Sequence, residues 1–155
     1  LSMVESELSK WLETKKGWRP HVINWAKSFV KDGLQDRAIT RDLDWGIKIP
    51  VDDLGPGKKI YVWFEAVIGY LSASKEWAQI NNKPDEWENW WLNPEAETFY
   101  FIGKDNVPFH AVIWPSILLG YENLNLPTNV PANQYILVKG EKASASRGVG
   151  NTRDE

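Results

Sequence analysis

The 155-residue sequence has no cysteine, which excludes disulfides and any thiolate metal site. It has no excess of positive charge: 18 Lys and Arg stand against 21 Asp and Glu, a formal net charge of −3. Nucleic-acid binding is therefore not legible in the overall charge. No apolar run approaches the ~18 residues that span a bilayer. The opening LSMVESELSKW lacks the basic region and apolar run of a signal peptide. These absences lead to the expectation of a soluble, intracellular α/β chain.

Hydrophobic residues at 43% and charged residues at 25% describe a globular protein, and the length suits one domain or one piece of a larger one. Ten tryptophans are a heavy load for this length. Such aromatic surface has to be buried internally or against something else.

The most informative stretch is TFYFIGKDNVPFHAVIWP, residues 98–115. Thr98 to Ile102 are β-branched or aromatic and predict a strand covered on both faces. Gly103 lets the chain bend, Asn106 is a good helix N-cap, and Pro108 suits a first helical turn. The helix is expected to run over 108–119 and stop at Gly120. Lys104, Asp105, Asn106 and His110 then gather at the carboxyl end of a strand, where open α/β sheets bind ligands. Asp105 is placed for sugar hydroxyls, and His110 near a helix N-terminus favours the neutral ring. The pattern alone fits a nucleotide-type site and a plain strand–turn–helix corner equally well.

Elsewhere, two amphipathic helices over residues 1–16 and 20–33 form a lead-in with no ligand chemistry of their own. Residues 34–58 read as strand and turn. Arg37 and Arg41 there lie among Asp36, Asp42 and Asp44, which favours surface ion pairs over a bidentate anion site. A strand at 60–64, a helix at 65–80 and a third strand at 134–138 complete a β-α-β-α-β unit with parallel strands. The fold class is thus α/β, half of a doubly wound, Rossmann-like sheet behind a helical lead-in. The segment 76–91, with Trp77, Trp87, Trp90 and Trp91, reads as a partly exposed helical excursion. The last residues, KGEKASASRGVGNTRDE, read as a loop and tail.

Three stretches together resemble the class I methionyl-tRNA synthetases, particularly the archaeal and eukaryotic branch: RAITRDLDWGI (37–47), YVWFEAVIGYLS (61–72) and FIGKDNVPFHAVIWPSILLG (101–120). The resemblance runs from about residue 10 to 150. It implies activation of methionine with ATP, accompanied by Mg2+, and transfer to tRNA(Met) in the cytoplasm. It also implies a methionine pocket of Trp63, Ala66, Tyr70 and His110 with Arg41 near the amino acid. Gly103 and Asp105 match the ribose-binding turn, and Leu137 and Val138 lie near the adenine. Residues 1–36 match the exit of the connective insertion, 37–139 the second half of the catalytic nucleotide fold, and 140–155 the KMSKS-like loop and tail.

The sequence departs from the family in several places. It carries no HIGH motif, which belongs to the preceding half of the fold; the only other histidine, His21, has the wrong surroundings. The zinc-carrying insertion and the anticodon-binding domain are not in this sequence. In the loop, KMSKS becomes Lys142-Ala143-Ser144-Ala145-Ser146. Lys142, Ser144 and Ser146 are its candidate catalytic residues, while Ala145 replaces a lysine whose charge would stabilise the transferring phosphates. Loss of one such electrostatic donor costs ~10²–10³ in rate. The expectation is a catalytic-domain portion that needs the first half and is inactive alone. A synthetase for another apolar amino acid, or a non-catalytic nucleotide- or partner-binding half-domain, are the alternatives.

Overall fold

Apolar residues at helical spacing make the first two elements, α1 (Glu5–Glu13) and α2 (Pro20–Lys31). Pro20 opens α2 at a position where its missing N–H has no partner to lose. Gly17 and Gly33, which follow the two helices, have φ of +103° and +88°, conformations that side chains with a Cβ rarely adopt. The computed structural model describes residues 1–51, 55, 57–121, 123–135, 137–138 and 140–142, with backbone alone for Val138 and Lys142.

The helical pair does not stand apart as a lead-in. Leu8, Leu12, Val22, Ala26 and Val30 are buried together with Val107, Ala111, Val112, Val130 and Ala132 from the far end of the chain. Trp18 Nε1 donates to the Thr128 carbonyl at 2.8 Å. Arg19 Nη1 donates to the Ala132 carbonyl at 2.7 Å and to Asn133 Oδ1 at 3.0 Å. These bonds tie the residues that lead into α2 to both ends of the 128–133 stretch.

Among the described residues the strands form three two-stranded pairs. β1 (Thr40–Asp42) runs antiparallel to β2 (Lys58–Ile60), with Thr40 opposite Ile60. β3 (Ile102–Gly103) is parallel to β4 (Ala132–Asn133), and a parallel bridge joins Phe99 to Asn129. β5 (Leu137–Val138) is antiparallel to β6 (Glu141–Lys142). Residues 98–103 therefore run parallel along 128–133, the α/β pairing expected of a Rossmann-like half. Several boundaries differ from the sequence reading. The expected strand at 60–64 ends at Ile60: Tyr61 N–H still reaches the Ile39 carbonyl (2.8 Å), but the Tyr61 carbonyl accepts from Phe64 and Glu65 N–H (2.9 and 3.3 Å) and helix begins at Val62. Of the expected strand at 134–138, Leu137 and Val138 form β5 of the antiparallel β5–β6 hairpin, while Gln134 and Tyr135 are not in a strand. Its parallel partner role falls to the preceding residues, where Val130 and Ala132 are buried.

The strand at 98–103 is covered on one face only. Tyr100 is buried, while Phe99 is half-exposed and Phe101 is 79% exposed, an alternation set by the pleat.

From Val62 the chain is helical through α3 (Val62–Glu65), a 3₁₀ turn at Ala66–Ile68 and α4 (Gly69–Ile80). The excursion that follows contains α5 (Glu88–Trp91), and Trp91 is core: it packs edge-on against Trp114, with ring centroids 5.8 Å apart. After β3 come a 3₁₀ turn (Lys104–Asn106), a π-helical segment (Phe109–Ile113) and α6 (Trp114–Tyr121). Asn106 makes no N-cap bond through its side chain. α6 also passes Gly120, and the left-handed residue beyond it is Asn123, at φ 62°.

Candidate functional site

The π-helical segment decides the geometry at His110. A wider turn is inserted in the helix there, and such turns recur at functional sites. His110 is 6% exposed. Its Nδ1 lies 2.9 Å from the Asn106 carbonyl and its Nε2 lies 2.8 Å from the Tyr70 hydroxyl. A carbonyl only accepts, so Nδ1 carries the hydrogen and Nε2 of the neutral ring accepts from Tyr70 O–H. Burial pushes the His110 pKa below the ordinary histidine value, against a smaller opposing pull from the Asn106 carbonyl. The neutral form is therefore the resting state near pH 7.

Aromatic rings surround this pair. Tyr70 meets Tyr100 edge-on at 5.1 Å and His110 at 5.6 Å. Tyr100 O–H accepts a hydrogen bond from Trp114 Nε1 at 2.9 Å. Burial raises the Tyr100 pKa above the usual phenol value, so the hydroxyl stays protonated. Trp63 lies against Phe109, ring centroids 5.7 Å apart, on the turn that also carries Ala66. Trp63 and Tyr70 keep part of their surface open, as a pocket wall does. The structure thus gathers Trp63, Tyr70 and His110 on neighbouring helical turns, with Phe109 beside them.

Gly103 and Asp105 lie one step away, at the carboxyl end of β3. Asp105 accepts a hydrogen bond from Tyr135, and Lys104 Nζ lies 3.8 Å from the centre of the Tyr135 ring. A cavity of about 430 Å³ is lined by Lys104, Asp105, Pro108 and Gln134 together with His21 and Trp25 of α2. His21 Nε2 is buried there with no protein partner among the described residues. Residues 20–33 read in sequence as a helix with no ligand chemistry of its own; in the structure the first turns of α2 form one wall of the Asp105 cavity. The i, i+4 spacing of His21 and Trp25 was the available signal.

Arg41 is placed differently from either alternative weighed on spacing. It stacks 4.2 Å from the centre of the Tyr61 ring, and its Nη1 donates to the Ala38 and Thr40 carbonyls at 2.9 and 2.8 Å. Asp42 pairs with Lys58 at 2.7 Å instead. Leu137 is exposed on β5. The side chains of Val138 and Lys142, and all of Ser144 and Ser146, lie outside the described residues.

The family model described as "tRNA synthetases class I (M)" matches residues 1–154. The chain belongs to this family. The class I (M) synthetases similar to it include the methionine–tRNA ligase of Thermoplasma volcanium, 48% identical over 155 residues, covering all of this chain and 28% of that protein. The methionine–tRNA ligase of Dehalococcoides mccartyi is 53% identical over 147 residues, covering 95% and 26%. In structure, the chain is similar to Mycobacterium tuberculosis methionyl-tRNA synthetase in complex with methionyl-adenylate: TM-score 0.73, 29% identity, covering 96% of this chain and 28% of that one. The chain thus spans a little over a quarter of the synthetases it matches, and the fold it shares with them is the Rossmann-like half described above.

Proposed function

We propose that this chain supplies the methionine pocket and the ribose-binding turn of a methionine–tRNA ligase, acting in the cytoplasm. The observation that carries the reading is the Tyr70–His110–Asn106 hydrogen-bond chain beside Trp63 and Phe109. A thioether is soft and apolar, and each sulfur–aromatic contact contributes ~0.3–1.5 kcal/mol. Shape alone separates methionine from shorter apolar side chains by only ~1–3 kcal/mol per methylene, so a wall of rigid aromatics is the suitable construction. His110, kept neutral, holds the Tyr70 ring in place without repelling the substrate ammonium. Ala66 leaves room on the same wall, and Arg41 approaches the amino acid from β1.

On this reading Asp105 accepts the ribose hydroxyls of ATP beside Gly103, while Leu137 and Val138 border the adenine. Lys142, Ser144 and Ser146 belong to the loop over the phosphates, where Mg2+ enters with ATP. Residues 1–36 are the exit of the connective insertion, 37–139 the second half of the catalytic fold, and 140–155 the signature loop and tail. The reaction is one of positioning and charge stabilisation, so it needs the first half of the fold as well. The 155-residue chain alone is expected to give no methionine-dependent pyrophosphate exchange.

The test is made in an intact ligase carrying this sequence in its matching stretch. Tyr70→Phe and His110→Ala are expected to raise KM for methionine in pyrophosphate exchange while KM for ATP holds. Unchanged methionine KM in both variants would overturn the assignment.

A further inference from the structure

The two strand ends that meet at the proposed sugar site leave the sheet in step. β3 and β4 are parallel, with Gly103 opposite Asn133 as their last register pair. Asp105 and Tyr135 each stand two residues past it, so the turn after β3 and the segment after β4 emerge side by side. The end of β4 is itself anchored: Arg19, ahead of α2, donates to the Ala132 carbonyl at 2.7 Å and to Asn133 Oδ1 at 3.0 Å. Just past that anchored end, the Tyr135 hydroxyl donates to Asp105 Oδ1. The same ring underlies the Lys104 ammonium, whose Nζ is 3.8 Å from its centre. One half-buried phenol thus touches both charged side chains of the turn.

Asp105 is exposed, and an exposed carboxylate on a turn has several accessible rotamers. Fixing one of them costs entropy, which weakens ligand binding unless the protein has already ordered the group. The phenol supplies that order through a hydrogen bond to a charged acceptor, the stronger kind. A carboxylate accepts about four hydrogen bonds, so one from a phenol is compatible with others from a sugar. The neighbouring lysine poses a second difficulty, because its ammonium attracts the same carboxylate. Stacking on the Tyr135 ring gives that ammonium a place of its own. Two and three residues further on, Leu137 and Val138 border the proposed adenine position, so one short segment serves both sugar and base.

We propose that Tyr135 is a positioning residue for ATP: it holds the Asp105 carboxylate in the rotamer that receives the ribose hydroxyls, without touching the nucleotide itself. This rests on the reading of Asp105 as the ribose acceptor of a methionine–tRNA ligase, and the test keeps the two separable.

The readout is methionine-dependent pyrophosphate exchange in an intact ligase carrying this sequence in its matching stretch. Tyr135→Phe keeps the ring under Lys104 and removes only the hydroxyl. It is expected to raise KM for ATP on the order of 10-fold, the scale of one hydrogen bond to a charged group, while KM for methionine holds. The same comparison is then made with 2′-deoxy-ATP and 3′-deoxy-ATP. With the analogue that most weakens the unsubstituted enzyme, the two enzymes are expected to converge, because the hydroxyl that Asp105 serves is gone. A phenol that merely supports the fold would cost the same with every nucleotide. Any of four results would overturn the proposal: unchanged KM for ATP in Tyr135→Phe, an equal loss with all three nucleotides, a matching rise in KM for methionine, or failure of the variant to fold. An unsubstituted enzyme indifferent to both missing hydroxyls would instead defeat the ribose reading of Asp105 and, with it, this proposal.

Discussion

The molecule has two cores built on opposite plans. One, around α1 and α2, is mostly aliphatic, filled by Leu8, Leu12, Val22, Ala26, Val30, Val112 and Val130 with Trp18 among them. The other gathers Val67, Trp91, Tyr100, Trp114 and Leu118, and its rings carry polar tips that are hydrogen-bonded. Trp91 Nε1 donates to Ser74 Oγ and Trp114 Nε1 to the Tyr100 hydroxyl, each at 2.9 Å, while the Tyr70–His110 pair closes the edge. The aliphatic core supplies burial, which has no direction. The aromatic one adds bonds that fix the angle of each ring, as a substrate wall requires. Position and orientation are thus handled by different parts of one small fold.

That division breaks in a predictable order. Leu12→Ala, in the aliphatic core, is expected to cost ~2–5 kcal/mol in denaturant unfolding through lost transfer energy and a cavity. The Tyr70–His110 contact, followed by the histidine NMR signals under folding conditions, should survive it. Trp114→Phe tests the other core. It removes the N–H that meets Tyr100 along with ring volume, and a loss of ~1–3 kcal/mol is expected together with changed ring contacts at Tyr70. Tyr70→Phe is milder for the fold, ~0.5–1.5 kcal/mol, with its main effect on methionine KM in the intact enzyme. An equal effect of Leu12→Ala and Tyr70→Phe on methionine KM would erase the distinction between the cores.

The smallest effect is a pH dependence. The folded His110 pKa is lowered, so below the unfolded value of about 6.5 the unfolded chain holds the extra proton. The stability from neutral His110 is fully present above that value and is lost as pH falls toward the folded pKa. An NMR titration should find the His110 ring protonating at lower pH than an exposed histidine, and His110→Gln should flatten the stability slope in that window.

The two cores also differ in how well they can be read from sequence. The helical pair is plain in the spacing of Leu8, Leu12, Val22, Ala26 and Val30, and in Gly17 and Gly33 past each end. The corner at Lys104–His110 is legible as well, because strand residues, a glycine and an apolar helix follow one another directly. What escapes is whatever a distant partner decides. β2 gains its register only from β1, some 18 positions earlier, and Trp91 is buried against Trp114, 23 positions on. His21 and Trp25 have the pattern of packing residues, and only the return of Asp105 and Gln134 beside them makes a cavity. The π-helical segment leaves no local mark, since its residues are ordinary helix formers or core fillers.

That widened turn at Phe109–Ile113 works as a phase shifter between two ends of one rod. Each residue of a helix advances the side-chain direction by ~100°. Deleting a single residue there would restore a uniform winding, yet it would either swing the imidazole away from its tyrosine or rotate the indole of Trp114 out of the interior. Small insertions and deletions, tolerated in most surface loops, have no harmless place in those five positions.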